Sequence, residues 1–177
     1  MKLIVLDRDG VINYDSAAYI KSPAEWRPIP GSLNAIAKLN HAGFHVVVAT
    51  NQSGIGRGFF DMAALNAIHA KMHQALAQAG ARVDAVFFCP HMADDNCRCR
   101  KPKTGMFEDI AHRLNTSLAG VAIIGDSRRD IDAAAAVGGS PVLVLTGNGK
   151  KTRRAGNLPP DTRVYADLAA AVDALAD

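Results

Sequence analysis

Short apolar runs alternating with longer helical patterns constrain this chain more than any other feature. Runs rich in β-branched residues at 2–6, 45–49, 85–88, 121–124 and 142–145 are separated by helix-like periodicity near 32–42, 62–79, 106–114, 129–137 and 167–176. Such runs suit strands covered on both faces, and the alternation suits a parallel sheet with helices on each side. The expected class is therefore α/β, with a doubly wound, mostly parallel, Rossmann-like sheet. Gly43, Gly80 and Gly138 each follow an apolar-periodic segment, where a C-cap glycine ends a helix. The 177 residues, 49% hydrophobic and 21% charged, suit a single domain over 1–177 rather than disorder.

No apolar run approaches the roughly 18 residues of a membrane span. The opening run from Met1 to Leu6 is too short for a signal peptide and ends in the carboxylate of Asp7. A net charge of +3 mildly favours anionic partners. It falls short of the basic stripe and stacking aromatics that nucleic-acid binding requires. Neither a membrane nor a nucleic acid is an expected partner, and nothing demands more than a monomer. The three cysteines, Cys89, Cys97 and Cys99, are odd in number and clustered, which points to a metal site and a reducing cytoplasm.

Open α/β sheets bind ligands beyond the carboxyl ends of their strands. Here the first run leads into Asp7, the second into Thr50, the third into Cys89 and the fourth into Asp126. Packing does not call for polar or metal-binding residues at four such ends. The irregular stretches 13–30 and 90–103 are too short for a lid domain and are expected to wall the site as loops.

Asp7-Arg8-Asp9-Gly10 places two carboxylates at i and i+2 of an extended segment, pointing the same way. Two carboxylates that close stay ionised when a cation lies between them. With Mg²⁺ there, Asp7 can attack phosphorus while Asp9 protonates the leaving oxygen and later deprotonates water. A solvated strand end is the plainer reading of the same four residues. Thr50-Asn51-Gln52-Ser53-Gly54 offers a hydroxyl and backbone N–H groups as a phosphate cradle, or ordinary turn chemistry. In Arg100-Lys101-Pro102-Lys103, Lys101 can neutralise a phosphoryl group and Arg100 can clamp a second anion. Asp126 can complete a hard-oxygen Mg²⁺ site, and Asp130 either orients its waters or caps the following helix.

Cys89-Pro90-His91 followed by Cys97-Arg98-Cys99 supplies three thiolates and an imidazole, a full tetrahedral Zn²⁺ set with no position left for water. Such a zinc would be structural, folding the loop that delivers Arg100 and Lys101. His69 and His73, four apart on a helix, have no third ligand and read as ordinary helix residues. Lys150, Lys151, Arg153 and Arg154 read as a solvated loop.

In their order, these elements resemble the motif set of the haloacid dehalogenase superfamily of phosphohydrolases, from Lys2 to about Thr146. The resemblance implies that superfamily's fold without a cap domain. It also implies Asp7 as nucleophile, Asp9 as general acid–base, Thr50 and Lys101 as phosphoryl stabilisers, and Asp7, Asp126 and the Asp9 carbonyl as Mg²⁺ ligands. Within the superfamily, Asp-Arg-Asp-Gly, the stretch Thr50–Gly58 and the Cys-x-His…Cys-x-Cys-Arg-Lys-Pro loop are similar to the heptose-1,7-bisphosphate 7-phosphatase family. That similarity implies a phosphorylated sugar substrate, recognised by Arg100, Ser127, Asn51, Gln52, Ser53 and the loop from Asp15 to Tyr19. The short gap between His91 and Cys97 is instead similar to histidinol-phosphate phosphatases. The Ser53 and Arg57-Gly58 positions favour the heptose family. A polynucleotide end-phosphatase and a catalytically silent phosphosugar-binding module are the remaining readings.

Overall fold

The structure, a computed structural model, describes residues 1–176. Six strands form one sheet: β1 Lys2–Leu6, β2 Phe44–Asn51, β3 Ala85–Cys89, β4 Ala122–Gly125, β5 Ser140–Val144 and β6 Arg163–Tyr165. Their order is β3-β2-β1-β4-β5-β6, and every neighbouring pair is parallel. The "mostly parallel" expectation thus becomes a wholly parallel sheet. Its connections diverge at β1, so the crevice beyond the ends of β1, β2 and β4 is where a doubly wound sheet takes a ligand.

Seven helices surround it: α1 Ser32–His41, the single turn α2 Ser53–Gly56, α3 Met62–Gln78, α4 Gly105–Arg113, α5 Arg128–Ala136, α6 Gly149–Ala155 and α7 Leu168–Leu175. Successive strand side chains face opposite ways, and the core divides accordingly. Ile4 and Leu6 of β1 join Val46, Val48 and Ile124 under α1, α3 and α7. Leu3 and Val5 join Val47, Ala49 and Ile123 under α4 and α5. Asp61 caps α3 by accepting from Ala64 N at 2.9 Å, and Asp167 caps α7 from Ala170 N at 2.8 Å. Gly43, Gly80 and Gly138 all have positive φ, as the C-cap reading requires.

Departures from the sequence reading include three elements. β6 has only three residues and no apolar run, too few for a period to register. The segment of Lys150, Lys151, Arg153 and Arg154 is solvated as expected, yet it is helix α6 and not a loop. With all four cations exposed, that helix has no apolar stripe by which to announce itself. β2 runs two residues further than its apolar run, carrying Thr50 and Asn51 in register with Phe88 and Cys89.

Candidate active site

Where β1 ends, the chain makes a tight turn: Val11 N, Ile12 N and Asn13 N all point at the Arg8 carbonyl. Gly10 adopts φ +81, and a Cβ there would lie 2.1 Å from Asp126 Oδ2. A Cβ at Gly147 would lie 2.2 Å from the same oxygen and 2.6 Å from the Gly10 Cα. Two side-chain-free positions therefore close on the Asp126 carboxylate from the ends of β1 and β5. Asn148 N donates to Asp126 Oδ2 at 2.8 Å, and its Nδ2 donates to Asp15 Oδ2 at 3.1 Å.

A cavity of about 370 Å³ opens above these strand ends. Asp7, Asp9, Asp126, Asp130 and Lys101 line it, with Asp15 and Tyr19 from the first irregular stretch and Arg100 from the second. Asn51, Gln52, Ser53 and Ser127 complete the expected set of lining residues. Both irregular stretches therefore wall the site. Thr50 is not among the lining residues. It is fully buried, and its Oγ1 accepts from Gln52 Nε2 at 2.9 Å.

The carboxylates of Asp7 and Asp9 line the same cavity but have different surroundings. Those of Asp7, Asp126 and Asp130 lie within 4.8 Å of one another, and Asp9 is not of that group. Asp9 is held by its own set of donors. Asp9 Oδ1 accepts from Arg8 Nε (3.0 Å), Arg8 Nη2 (2.8 Å) and Asn13 Nδ2 (2.9 Å), while Oδ2 accepts from Gln52 Nε2 at 3.1 Å. Burial works to raise the Asp9 pKa, but the Arg8 charge and these hydrogen bonds outweigh it and hold the group below its ordinary value.

Burial first, then the charge of Asp130, pushes the Asp7 carboxyl well above the ordinary range. The same two causes push Asp126 up to about 7. Buried oxygen donors that repel one another so strongly are what a hard divalent cation relieves, so Asp7 and Asp126 fit Mg²⁺. Asp130 is committed elsewhere. Its Oδ1 pairs with Lys101 Nζ at 2.7 Å, and its Oδ2 accepts from Ser127 N and Ser127 Oγ at 3.0 and 2.8 Å. The capping role is therefore real, and a buried ion pair accompanies it. Lys101 Nζ also lies 3.1 Å from Asp7 Oδ1. Burial lowers the Lys101 pKa, yet Asp130 and then Asp7 more than reverse this, and the ammonium is held charged.

Lys101 reaches this place from the cysteine loop. Asn51 Nδ2 donates to the Lys101 carbonyl at 3.1 Å, and Lys101 N donates back to Asn51 Oδ1 at 3.0 Å. The three cysteines are free and meet His91 as the spacing predicts. Zn–S bonds of about 2.3 Å in a tetrahedron demand S···S edges near 3.8 Å and S···N edges near 3.6 Å. The structure has Cys89–Cys97 at 3.7 Å, Cys89–His91 at 3.5 Å and His91–Cys99 at 3.4 Å. Cys89–Cys99, at 2.8 Å, is closer than an edge and far too long for a disulfide. The donor set and three of these four edges fit zinc.

Three site residues escaped the sequence reading. Arg57 and Arg129 line the cavity as exposed cations, and Asn148 bridges Asp126 and Asp15. Asn148 offered little signal, because it stands four residues past the end of β5 while Asp126 directly follows β4. His69 is the clearest correction. Far from an ordinary helix residue, it is buried, with Nε2 3.1 Å from Nη1 of the fully buried Arg8.

Comparison with known proteins adds a second line of support. Residues 98–171 match the family described as HAD-hydrolase-like. The chain is 61% identical to D-glycero-beta-D-manno-heptose-1,7-bisphosphate 7-phosphatase of Bordetella bronchiseptica, over 99% of this chain and 98% of that one. It is 54% identical to the enzyme of that name from Pseudomonas putida, over 96% and 97%. A crystal structure of the B. bronchiseptica D,D-heptose 1,7-bisphosphate phosphatase, complexed with magnesium and phosphate, superposes with a TM-score of 0.97 over 99% of this chain and 98% of that chain. The corresponding Burkholderia thailandensis structure is 54% identical, with a TM-score of 0.80 over 100% of both chains. Among the described residues, no helix is long and apolar enough to cross a membrane.

Proposed function

The chain belongs to the heptose-1,7-bisphosphate 7-phosphatase family of the haloacid dehalogenase-like hydrolases, and from that premise we propose how its residues work. The reaction is hydrolysis of the 7-phosphate of D-glycero-D-manno-heptose 1,7-bisphosphate through an aspartyl-phosphate on Asp7, with 1–177 acting as one catalytic unit in the cytoplasm. The observation that carries it is the pairing of a carboxylate nucleophile and a separate proton carrier. Asp7 lies against Lys101 and Asp126, while Asp9 lines the same cavity with one oxygen heavily hydrogen-bonded.

Asp7 attacks phosphorus, the bond to the sugar C7 oxygen breaks, and that oxygen takes its electron pair together with a proton from Asp9. In the free site Asp9 is ionised. A phosphate dianion drawn into the same cavity opposes that charge, so the proton is taken up as substrate binds. Water then attacks the aspartyl-phosphate and gives its proton back to Asp9. Lys101, with its charge held by burial among carboxylates, neutralises the equatorial phosphoryl oxygens. Thr50, fully buried, supports the cradle by fixing Gln52, whose amide also reaches Asp9 Oδ2. Mg²⁺, held by Asp7, Asp126 and the Asp9 carbonyl, supplies charge neutralisation between nucleophile and phosphate. Cys89, His91, Cys97 and Cys99 would hold zinc, which would fix the loop that carries Arg100 and Lys101. Arg100, Ser127, Asp15, Tyr19, Asn51 and Ser53 contact the remainder of the sugar phosphate.

Phosphate release from heptose 1,7-bisphosphate and from histidinol phosphate, measured side by side with Mg²⁺, tests this reading, with phosphorus NMR reporting which phosphate leaves. Preference for the heptose with loss from carbon 7 is expected. Preference for histidinol phosphate would replace the substrate while leaving the chemistry intact. Full activity after Asp7→Asn would remove the nucleophile.

A further inference from the structure

Arg8 is an unusual residue to find at the end of a central strand, because it is fully buried. A guanidinium offers five N–H donors and no acceptor, and each donor taken out of water needs a partner. Two of its nitrogens, Nε and Nη2, converge on Asp9 Oδ1. The third, Nη1, meets Nε2 of His69, a residue of α3 that is 61 positions away and does not line the cavity. Since arginine can only donate, Nε2 must be the unprotonated nitrogen and His69 the neutral Nδ1–H tautomer. Burial, and then the charge of Arg8, push the imidazole pKa down to about 4, which keeps it neutral in the ordinary range.

The consequence appears at Asp9. With Oδ1 saturated by Arg8 and Asn13, Oδ2 carries only the Gln52 contact. The proton exchanged with the leaving group therefore has one address. We infer that His69 is a positioning residue for the reaction: as an acceptor on α3 it sets the orientation of the Arg8 guanidinium, and the guanidinium in turn determines which Asp9 oxygen faces the leaving oxygen. This inference rests on the general acid–base role of Asp9 proposed above. Losing the acceptor lets Nη1 seek another partner, rotates the fork and frees the Asp9 carboxyl to turn.

A misplaced general acid harms poor leaving groups more than good ones, whereas a merely loosened fold harms both alike. The test compares kcat/KM, which reports cleavage of the first P–O bond, for heptose 1,7-bisphosphate and for p-nitrophenyl phosphate. His69→Met should lower the value for the sugar alkoxide about 10-fold or more and that for the nitrophenolate by less than about 3-fold. His69→Gln, which keeps an acceptor at a similar reach, should stay within about 3-fold of the parent on both. Equal losses on the two substrates, or a Gln variant as poor as the Met variant, overturn the inference. If His69→Met does not fold, nitrogen-15 NMR of the parent protein decides. An unprotonated Nε2 on His69 across neutral pH supports the clamp, and a protonated one refutes it. Asp9→Asn serves as the control. If it leaves the alkyl-to-aryl ratio unchanged, the acid–base reading fails and takes the inference with it. If Asp9→Asn shifts the ratio and His69→Met does not, the inference alone fails.

Discussion

Lys101 and Asp130 form a buried ion pair, Nζ to Oδ1 at 2.7 Å, in which each partner has a second duty. Asp130 also closes the first turn of α5, and Lys101 also lies against Asp7. Asp130→Ala removes a cap and leaves the ammonium with Asp7 as its sole carboxylate. Stability should fall by about 3–5 kcal/mol, read by urea denaturation. Turnover should fall as well, because Lys101 is drawn onto the nucleophile. A variant within about 1 kcal/mol of the parent would show the pair to be dispensable.

Asp126 gives the metal-free protein a distinctive pH response. Its folded-state pKa of about 7 lies above the ordinary value of 3.8, so between these the native carboxyl holds a proton that the unfolded chain has released. Stability from this group is therefore present below about 4 and is lost as pH rises towards 7. A melting temperature that declines over that interval without Mg²⁺ is expected, with the decline flattened by added Mg²⁺. Below pH 7, Mg²⁺ binding should also release protons, measurable by calorimetry in two buffers of different ionisation enthalpy.

Zinc removal should act at a distance from the cysteines. Elemental analysis should find about one zinc per chain, and a strong chelator should lower both the melting temperature and kcat. Mg²⁺ added back alone should not restore turnover, since Lys101 is delivered by the same loop. Full activity in zinc-free protein would mean that Asn51 alone suffices to hold Lys101 in place.

Arg57 and Arg129 should govern binding and not chemistry. Both are exposed at the cavity, where a second anionic group would meet them. Arg57→Gln and Arg129→Gln should each raise KM for the bisphosphate about 3- to 10-fold with little change in kcat. Added salt should likewise raise KM more than it lowers kcat. A salt-insensitive KM would argue that shape, and not charge, selects the substrate.

Much of this could be read from the chain because the informative residues are local. β1 is covered on both faces, so its apolar run is uninterrupted, and Asp7 is conspicuous at its end. The three cysteines and His91 fall within eleven residues, and their spacing survives folding as contact. The Arg8–His69 contact could not be read this way. It joins residues 61 apart, and a histidine on an amphipathic helix looks the same whether it meets water or a guanidinium. The separate surroundings of Asp7 and Asp9 were hidden for a related reason: Asp9 Oδ2 is held by Gln52, 43 positions away. Asn148 was out of reach for a simpler reason, standing four residues beyond Val144 as the residue before α6.

The reciprocal bonds between Asn51 and the main chain of Lys101 have an evolutionary consequence. They anchor the downstream end of the cysteine loop to the sheet, while Cys89 anchors its upstream end as the last residue of β3. Everything between His91 and Cys97 is then free to lengthen, shorten or change composition without moving the ammonium that catalysis needs. Only the downstream end of the loop, at Arg100 and Lys101, lines the cavity, so changes of length upstream leave the site's contribution from this loop in place.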